Sequence, residues 1–180
     1  MWTAIAVAAV MLLYFVSVYN SLVARRTQAK EAWSTIDTQL KRRYDLIPNL
    51  INTIKGAAAH ESKTLESVIA ARSAAMSASG AESKAAAENQ LTGALKSIFA
   101  LSESYPALRV NENFLELQRE LTDTETKIQA ARQFYNTVVM GLNTAIQQFP
   151  SNIVANMFKI SQEQFFQIDE ADKIAPKVEF

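Results

Sequence analysis

The sequence predicts an all-α membrane protein in which an N-terminal transmembrane helix continues into a long-helix, up-and-down four-helix bundle. Residues 1–24 carry no charged side chain, and apolar residues recur every three or four positions through most of the remaining chain. Gly and Pro number only four each, too few for the turns of a many-stranded sheet protein. We therefore divide the chain into a transmembrane anchor (1–24), a helical bundle (25–170) and an extended C-terminal tail (171–180).

The first 24 residues are long and apolar enough for one membrane span. About 20 helical residues at about 1.5 Å each cross a hydrocarbon core of about 30 Å. Trp2 lies near one end and Tyr14 and Tyr19 lie toward the other, as in an aromatic belt. A cleaved signal peptide would carry positive charge before a shorter apolar stretch, and no Lys or Arg precedes this segment. We therefore expect an uncleaved anchor.

Positive charge after the span predicts its orientation. Arg25, Arg26 and Lys30 follow the span within two turns, so the positive-inside rule places the N-terminus outside and the bundle in the cytoplasm. Residues 1–60 carry seven basic and three acidic side chains, a net of +4, and residues 61–180 carry eleven basic and fifteen acidic side chains, a net of −4. This distribution favours contact with anionic membrane lipids. Nucleic acid is not an expected partner, because no concentrated basic face with interleaved aromatic residues is present.

The first bundle helix joins the span without a linker. Pro48 predicts a kink near Tyr44–Ile47, but the apolar phase survives across it, which favours one bent helix over two. The pattern continues weakly through Leu65 to an Ala/Ser-rich stretch, where Ser79–Gly80 predicts a turn. The core-facing positions are Trp33, Ile36, Leu40, Ile47, Leu50, Ile54 and Ala57.

Three more helices are predicted after this turn. Tyr105–Pro106 ends the second helix, Asn111 caps the third, Phe149–Pro150 ends the third, and Ser151 caps the fourth. The first and third helices are expected to be roughly 35–45 residues long and the second and fourth about 20, joined by short turns as antiparallel neighbours. The third helix has the clearest periodicity, at Phe114, Leu117, Leu121, Thr124, Ile128, Ala131, Tyr135, Val138, Leu142 and Ala145.

Arg43 takes a core-facing position in the first bundle helix. A buried arginine must be paired, because an unpaired buried charge is costly. We expect a polar layer that fixes helix register. Its candidate members are Arg43, Glu120, Asp123 and Glu125, with Asn49 and Asn136 adding hydrogen bonds. The alternative is that Lys41-Arg42-Arg43 forms an ordinary solvated charged face.

No set of residues suited to catalysis or to metal binding is apparent. The chain has no cysteine, which excludes disulfides, thiolate ligands and cysteine nucleophiles. His60 is the single histidine, and metal sites of the usual kinds need several ligands at set spacings. The sequence therefore predicts a protein that is not an enzyme and that holds no cofactor.

The C-terminal part of the chain is rich in phenylalanine. These rings either cap the bundle core or form an exposed patch that docks a partner or a second copy of the chain. The candidate interaction patch consists of Phe158, Phe165, Phe166 and Phe180.

Several blocks of the sequence resemble the LemA family of bacterial membrane proteins. They are AWSTIDTQLKRRYDLIPNLINTIKG, HESKTL, ARSAA, LQRELTDTETKIQAARQFYN, FPSNIVA and PKVEF, and the likeness extends from Tyr19 to Phe180. The resemblance implies a single-span anchor, an up-and-down helical bundle and no enzymatic activity. That family is known mainly as membrane proteins without an established biochemical role, with one branch associated with magnetosome formation.

These observations lead to a functional hypothesis. We expect a non-enzymatic scaffold or assembly protein of the bacterial cytoplasmic (inner) membrane, with membrane lipids, further copies of itself and other membrane proteins as its partners. Because no flexible linker follows the span, identical spans that pack together would align their bundles. The alternative function is that of a membrane-remodelling or lipid-organising protein.

Overall fold

The computed structural model describes residues 1–57 and 61–166, and within these ranges the chain is helical and contains no strand. The all-α class is confirmed. The helices are α1 (Trp2–Ala57), α2 (Ser62–Ser77), α3 (Ala81–Ser102), α4 (Pro106–Arg109), α5 (Glu112–Gln147) and α6 (Ser151–Met157). The described residues form two compact units: a first unit of Met1–Thr35 with Ala131–Phe165, and a second unit of Ile36–Ala130 with Phe166. The predicted tail 171–180 lies outside the described residues.

The first unit contains the apolar N-terminal segment. Helix α1 is, among the described residues, the one helix long and apolar enough to cross a membrane, and its most apolar stretch is not buried inside the protein. Farther along α1, Leu22, Ala29 and Ala32 are buried. They share the core of this unit with Tyr135, Val139, Leu142, Ile146, Val154, Ala155 and Ile160. The apolar segment is therefore the start of a helix that is packed into the folded protein at its other end.

The second unit has a core built from α1, α2, α3 and α5. Helix α2 packs against α3 after a turn at Gly80, whose φ of 83° lies in the left-handed region that glycine adopts without strain. The predicted turn at this position is confirmed. Core side chains of this unit include Ile36, Leu40, Ile47, Leu50, Ile54, Leu65, Val68, Leu91, Leu95, Ile98, Phe114, Leu121 and Ile128.

Helix α1 remains helical through Pro48, so the prediction of one continuous helix is confirmed. Proline has no N–H, and the carbonyl of Tyr44 therefore lacks its usual donor four residues later. The Arg72 side chain of α2 replaces that donor, because its Nε lies 2.9 Å from the Tyr44 carbonyl oxygen. A side chain from a neighbouring helix thus satisfies the group that Pro48 leaves open. The kink stays a prediction.

The third predicted helix corresponds to α5, and it begins where the sequence predicts. Asn111 caps α5, since its Oδ1 accepts a hydrogen bond of 3.0 Å from the backbone N–H of Phe114. The preceding helix ends earlier than predicted, because α3 stops at Ser102 and Pro106 instead begins the short helix α4. Proline suits this position, where a missing N–H costs no helical bond.

Two further predictions of helix extent are wrong. The weak apolar pattern around Leu65 belongs to a separate helix, α2, and does not continue α1. Glu61 precedes α2 with φ −90° and ψ 40°, which is not helical. Gly56 lies at the end of α1, where its low helix propensity of about 1 kcal/mol relative to alanine favours an end.

The predicted length of the fourth helix, about 20 residues, is also wrong, because α6 has 7 residues. Lys159 takes a positive φ of 54°, which a helix cannot continue, and Ile160 beyond it is buried. Ser151 does not cap α6. Its hydroxyl lies within hydrogen-bonding distance of two carbonyl oxygens, that of Ala145 in α5 at 2.5 Å and that of Gln148 just after α5 at 2.9 Å, and its single proton is shared between them.

Candidate functional site

Arg43 of α1 is the centre of a buried ion-pair cluster in the second unit. Its side chain is 0% exposed and forms ion pairs with Glu88 of α3 and Glu125 of α5. One guanidinium nitrogen also donates to the Thr92 hydroxyl at 3.0 Å. Three helices thus meet at one arginine, whose planar group suits several acceptors at once.

Glu88 is as deeply buried as Arg43, and both of its oxygens are hydrogen-bonded. Oε2 accepts from Arg43, and Oε1 accepts from the hydroxyl of Tyr44. Burial, followed by the hydrogen bond to Glu88, raises the pKa of Tyr44 above its ordinary value of 10.0. Tyr44 therefore stays protonated at neutral pH and acts as a permanent donor to the carboxylate.

Glu125 connects the cluster to the surface. Its side chain is 24% exposed and lines a surface cavity of about 320 Å³ with residues of α3 and α5. The desolvated pair is consequently Arg43–Glu88, while the charge of Glu125 is partly screened by water. Removing one member of a buried pair typically costs about 3–5 kcal/mol, because the other charge is left uncompensated.

The cluster differs in membership from the predicted polar layer. Arg43 and Glu125 come together, whereas Glu120 forms an exposed ion pair with Arg42 at 3.9 Å. Asp123 pairs with Lys127 at 2.7 Å, and the hydrogen bond from Lys127 lowers the pKa of Asp123. The helical repeat explains the difference, since Glu125 follows buried Leu121 by one turn and Asp123 lies on the solvent side.

The two predicted asparagines lie elsewhere. Asn49 is exposed on α1, and its carbonyl accepts a hydrogen bond from the Thr53 hydroxyl at 2.9 Å. Asn136 is half-buried and belongs to the first unit, not to the unit that contains Arg43. The hydrogen bonds that the structure describes for Arg43 go to Thr92, Glu125 and Glu88.

Glu88 and Tyr44 are the residues that sequence reasoning missed. The signal for Glu88 lies in the periodicity of α3. Stepping back from Leu91 by three or four residues reaches Glu88, Ala85 and Ala81, and all three are buried. Glu88 lies on the core-facing side of α3, and Arg43 lies on the core-facing side of α1. Opposite charges that both face the core are the signal that could have predicted this pair.

The cluster has the chemistry of a structural element. Its charged atoms are paired with one another, apart from Nε of Arg43, which is buried without a hydrogen-bond partner in the described part of the chain. Within residues 1–57 and 61–166, no group of three or more potential metal-ligating side chains occurs. His60 lies outside the described residues. The arrangement can hold three helices in register, and it presents no free nucleophile or base.

The predicted membrane-anchor residues all lie in the first unit. Trp2 is 84% exposed and Tyr14 is 45% exposed, and most apolar side chains between them are exposed as well. Arg25 donates to the Gly141 carbonyl at 3.5 Å, and a Cβ at Gly141 would come within 3.3 Å of that arginine. Arg26 and Lys30 are exposed and line a surface cavity with Tyr19.

The phenylalanine residues of the predicted interaction patch are divided between core and surface. Phe166 is fully buried, whereas Phe158 and Phe165 are 52% and 42% exposed. The Phe158 ring contacts that of Tyr19, with centroids 4.4 Å apart. Phe180 lies outside the described residues.

Comparison with known proteins identifies the family. The family model described as LemA family matches residues 32–180 of this chain. The chain belongs to the LemA family. The Protein LemA of Metamycoplasma hominis is 27% identical to it over 168 residues, which cover 89% of this chain and 75% of that relative. The LemA match begins after the apolar segment and includes every member of the Arg43 cluster.

Proposed function

We propose that this LemA family member is a single-pass, non-enzymatic scaffold of the bacterial cytoplasmic membrane, with its N-terminus outside and its helical region in the cytoplasm. One observation carries the proposal. Helix α1 runs without a break from an exposed apolar segment into the buried positions Leu22, Ala29 and Ala32. The apolar segment is not buried by other described residues of the chain, and an exposed apolar segment of this length is stable in a lipid bilayer.

The contacts around the base of the span support a firm attachment. Trp33 of α1 packs edge-on against Tyr135 of α5 at 5.3 Å between ring centroids, and the Tyr135 hydroxyl donates to the Gln164 carbonyl at 2.9 Å. Asn143 both donates to and accepts from the Glu163 backbone, at 2.9 Å and 3.0 Å. These bonds tie α1, α5 and the segment after α6 together directly below the anchor.

Protein contacts are the second part of the proposal. Phe134 and Met140 of α5 are 60% and 57% exposed. We take these two side chains as part of a surface that binds another protein, because such surfaces are enriched in large apolar residues. Self-association through the span and α5 would then concentrate the helical regions at one membrane site.

The absence of cysteine makes the topology directly testable. Single cysteines at Thr3 and at Ser77 can be labelled in spheroplasts with a membrane-impermeant maleimide. We expect Thr3→Cys to react in intact spheroplasts and Ser77→Cys only after permeabilisation. The reverse pattern would contradict the orientation, and recovery of the protein in the soluble fraction after carbonate washing would contradict the anchor.

Self-association has its own test. Full-length protein in nanodiscs or detergent should sediment as a defined oligomer, and Phe134→Ser with Met140→Ser should shift it toward the monomer. Gln133→Ser with Thr137→Ser, exposed positions on the same helix, is the matched control. A strict monomer at all concentrations, without cross-links in cells, would count against a scaffold.

Membrane remodelling is the second candidate function. It is favoured by the cations Arg25, Arg26 and Lys30 beside exposed apolar residues of the same unit. Reconstitution into anionic vesicles at rising protein density, followed by electron microscopy, distinguishes the two. Tubules or strongly curved vesicles would support remodelling, whereas unchanged vesicle shape would leave the scaffold role alone.

A further inference from the structure

A cavity of about 290 Å³ lies in the first unit at the base of the apolar segment. It is formed by the last part of the span, by the helical turns that follow it and by the segment just after α6. The side chains that matter for its chemistry are Tyr19, Arg26, Thr27, Lys30, Phe158 and Ile160.

The polar side of this cavity suits a phosphate group. Arg26 and Lys30 lie one helical turn apart on the same face of α1, and Thr27 contributes a hydroxyl beside them. Guanidinium, ammonium and hydroxyl groups are the usual side-chain ligands of phosphate oxygens. Glu163 opposes this charge only weakly, since its carboxylate is 3.9 Å from Arg26 and the two side chains are 36% and 45% exposed.

The other side of the cavity is apolar. Phe158 and Ile160 form this wall together with the ring of Tyr19, which contacts Phe158. A free inorganic phosphate would gain nothing from such a wall. A molecule with a phosphate at one end and a hydrocarbon at the other would use both sides.

In the proposed anchoring, the cavity extends from Tyr19, inside the span, to Arg26 and Lys30, just beyond its end, where the lipid headgroups lie. If residues 2–24 span the bilayer, Tyr19 lies five residues, or about 7.5 Å, from the end of the span. The Phe158 ring that touches it is then at the interface, where aromatic rings are favoured. Two residues of α6, the helix that precedes Phe158, are also exposed, Ile153 by 45% and Met157 by 63%, and Phe149 is 80% exposed. Such an apolar surface is stable when it lies in the headgroup region.

We infer that this cavity binds the phosphate of an anionic phospholipid, with its glycerol and first acyl carbons against Phe158 and Ile160. The inference rests on the proposed membrane anchoring and adds a specific lipid site to it. The segment after α6 thus acts as a second, non-spanning contact with the membrane.

Native mass spectrometry of the full-length protein in detergent tests this site. The probes are dioleoyl phosphatidylglycerol, dioleoyl phosphatidylcholine and inorganic phosphate. We expect one tightly held phosphatidylglycerol and weaker binding of phosphatidylcholine and of inorganic phosphate. A cation near anionic lipid contributes about fivefold in affinity, so Arg26→Gln with Lys30→Gln should weaken phosphatidylglycerol binding roughly 25-fold.

Matched variants separate the site from general charge and general hydrophobicity. Lys63→Gln with Arg119→Gln removes the same charge from exposed positions in the second unit, and it should leave lipid binding unchanged. Phe158→Ala should weaken binding, whereas Val110→Ala, which shortens an exposed apolar side chain of the second unit, should not. Glu163→Gln removes the opposing carboxylate and should strengthen binding about two- to threefold.

The outcomes distinguish this site from the anchor itself. Equal loss in the Lys63/Arg119 control, or no loss in the Arg26/Lys30 variant, would overturn the lipid site. Binding of inorganic phosphate as tight as that of the lipid would overturn the assignment to a lipid. In both cases the carbonate-resistant membrane fraction would still report the anchor, because insertion of the apolar segment depends on its length and hydropathy, whereas Arg26 and Lys30 affect its orientation.

Discussion

At the scale of single residues, the Arg43–Glu88 pair is the most consequential feature of the second unit. Both side chains are fully buried, Tyr44 donates to Glu88, and Arg43 donates to Thr92 and to Glu125 as well as to Glu88. A buried pair of this kind contributes little net stability, since desolvation offsets its attraction. We expect its effect to be on the specificity of helix packing, because any shift of α1 against α3 would separate the charges.

Removing one member of the pair should therefore cost far more than removing both. We expect Arg43→Met or Glu88→Leu alone to lower the free energy of unfolding by about 3–5 kcal/mol. The double substitution should recover most of this loss, because no buried charge remains unpaired. Denaturant unfolding of the full-length protein, followed by far-UV circular dichroism, measures all three. An unchanged melting temperature for Arg43→Met would contradict the role of the cluster.

Tyr44 should make stability sensitive to alkaline pH. Burial and Glu88 raise its pKa in the folded state, so the stabilisation is complete below the ordinary value of 10.0 and is lost as pH rises above it toward the folded value. The unfolded chain then releases a proton that the folded chain retains. Between pH 9 and 11 the wild-type protein should lose stability more steeply than Tyr44→Phe. Parallel curves in a urea titration would refute this linkage.

At the scale of elements, helix α1 depends on a neighbour at Pro48. The helix continues because Arg72 of α2 donates to the Tyr44 carbonyl that proline leaves without a partner. A side chain from another helix can donate to a carbonyl inside α1 only when the packing of the two helices brings it within hydrogen-bonding distance. The continuity of α1 is thus a tertiary property as well as a local one.

A double-mutant cycle tests this contact. Arg72→Met should destabilise the protein by about 1–2 kcal/mol, since a part-buried carbonyl loses its donor. In a Pro48→Ala background the alanine amide restores the intrahelical bond, and Arg72→Met should then cost much less. Thermal unfolding of the four proteins gives the coupling energy. A coupling energy near zero would contradict the idea that Arg72 compensates for the amide that Pro48 lacks.

The sequence predicted most helices correctly, but it did not predict the helix ends that are set by tertiary packing. Gly80 and Asn111 carry local signals, a positive φ and a side-chain cap, and both predictions are confirmed. The length of α6 was mispredicted because the chain leaves the helix at Lys159 and buries Ile160. Periodicity cannot show that a packed irregular segment is more stable than another helical turn.

At the scale of the whole molecule, charge and hydropathy are segregated along the chain. The uncharged segment is followed at once by three cations, and the net charge is +4 over residues 1–60 and −4 over residues 61–180. Such a gradient is expected for a protein held against an anionic leaflet by its N-terminal part. Orientation should therefore depend on a small number of residues.

Moving those cations should invert the orientation. We expect Arg25→Gln, Arg26→Gln and Lys30→Gln, combined with three lysines inserted before Trp2, to place the N-terminus in the cytoplasm. Maleimide labelling of Thr3→Cys and Ser77→Cys in spheroplasts would then show the reverse of the wild-type pattern. The triple substitution without the inserted lysines is the control, and it should give a mixed orientation. A wild-type pattern in the combined variant would contradict the charge argument.

The sequence by itself determined the all-α class, the apolar segment, the turn at Gly80, the cap at Asn111 and the need for a partner at Arg43. These follow from periodicity, from backbone conformational preference and from the cost of burying a charge, which act within a few residues. Only the tertiary structure decided that Glu88 and Tyr44 complete the cluster, that Arg72 replaces the donor missing at Pro48, and that Phe158 lies against Tyr19. These contacts join residues between 28 and 139 positions apart. At such separations the choice among possible partners depends on how the helices pack.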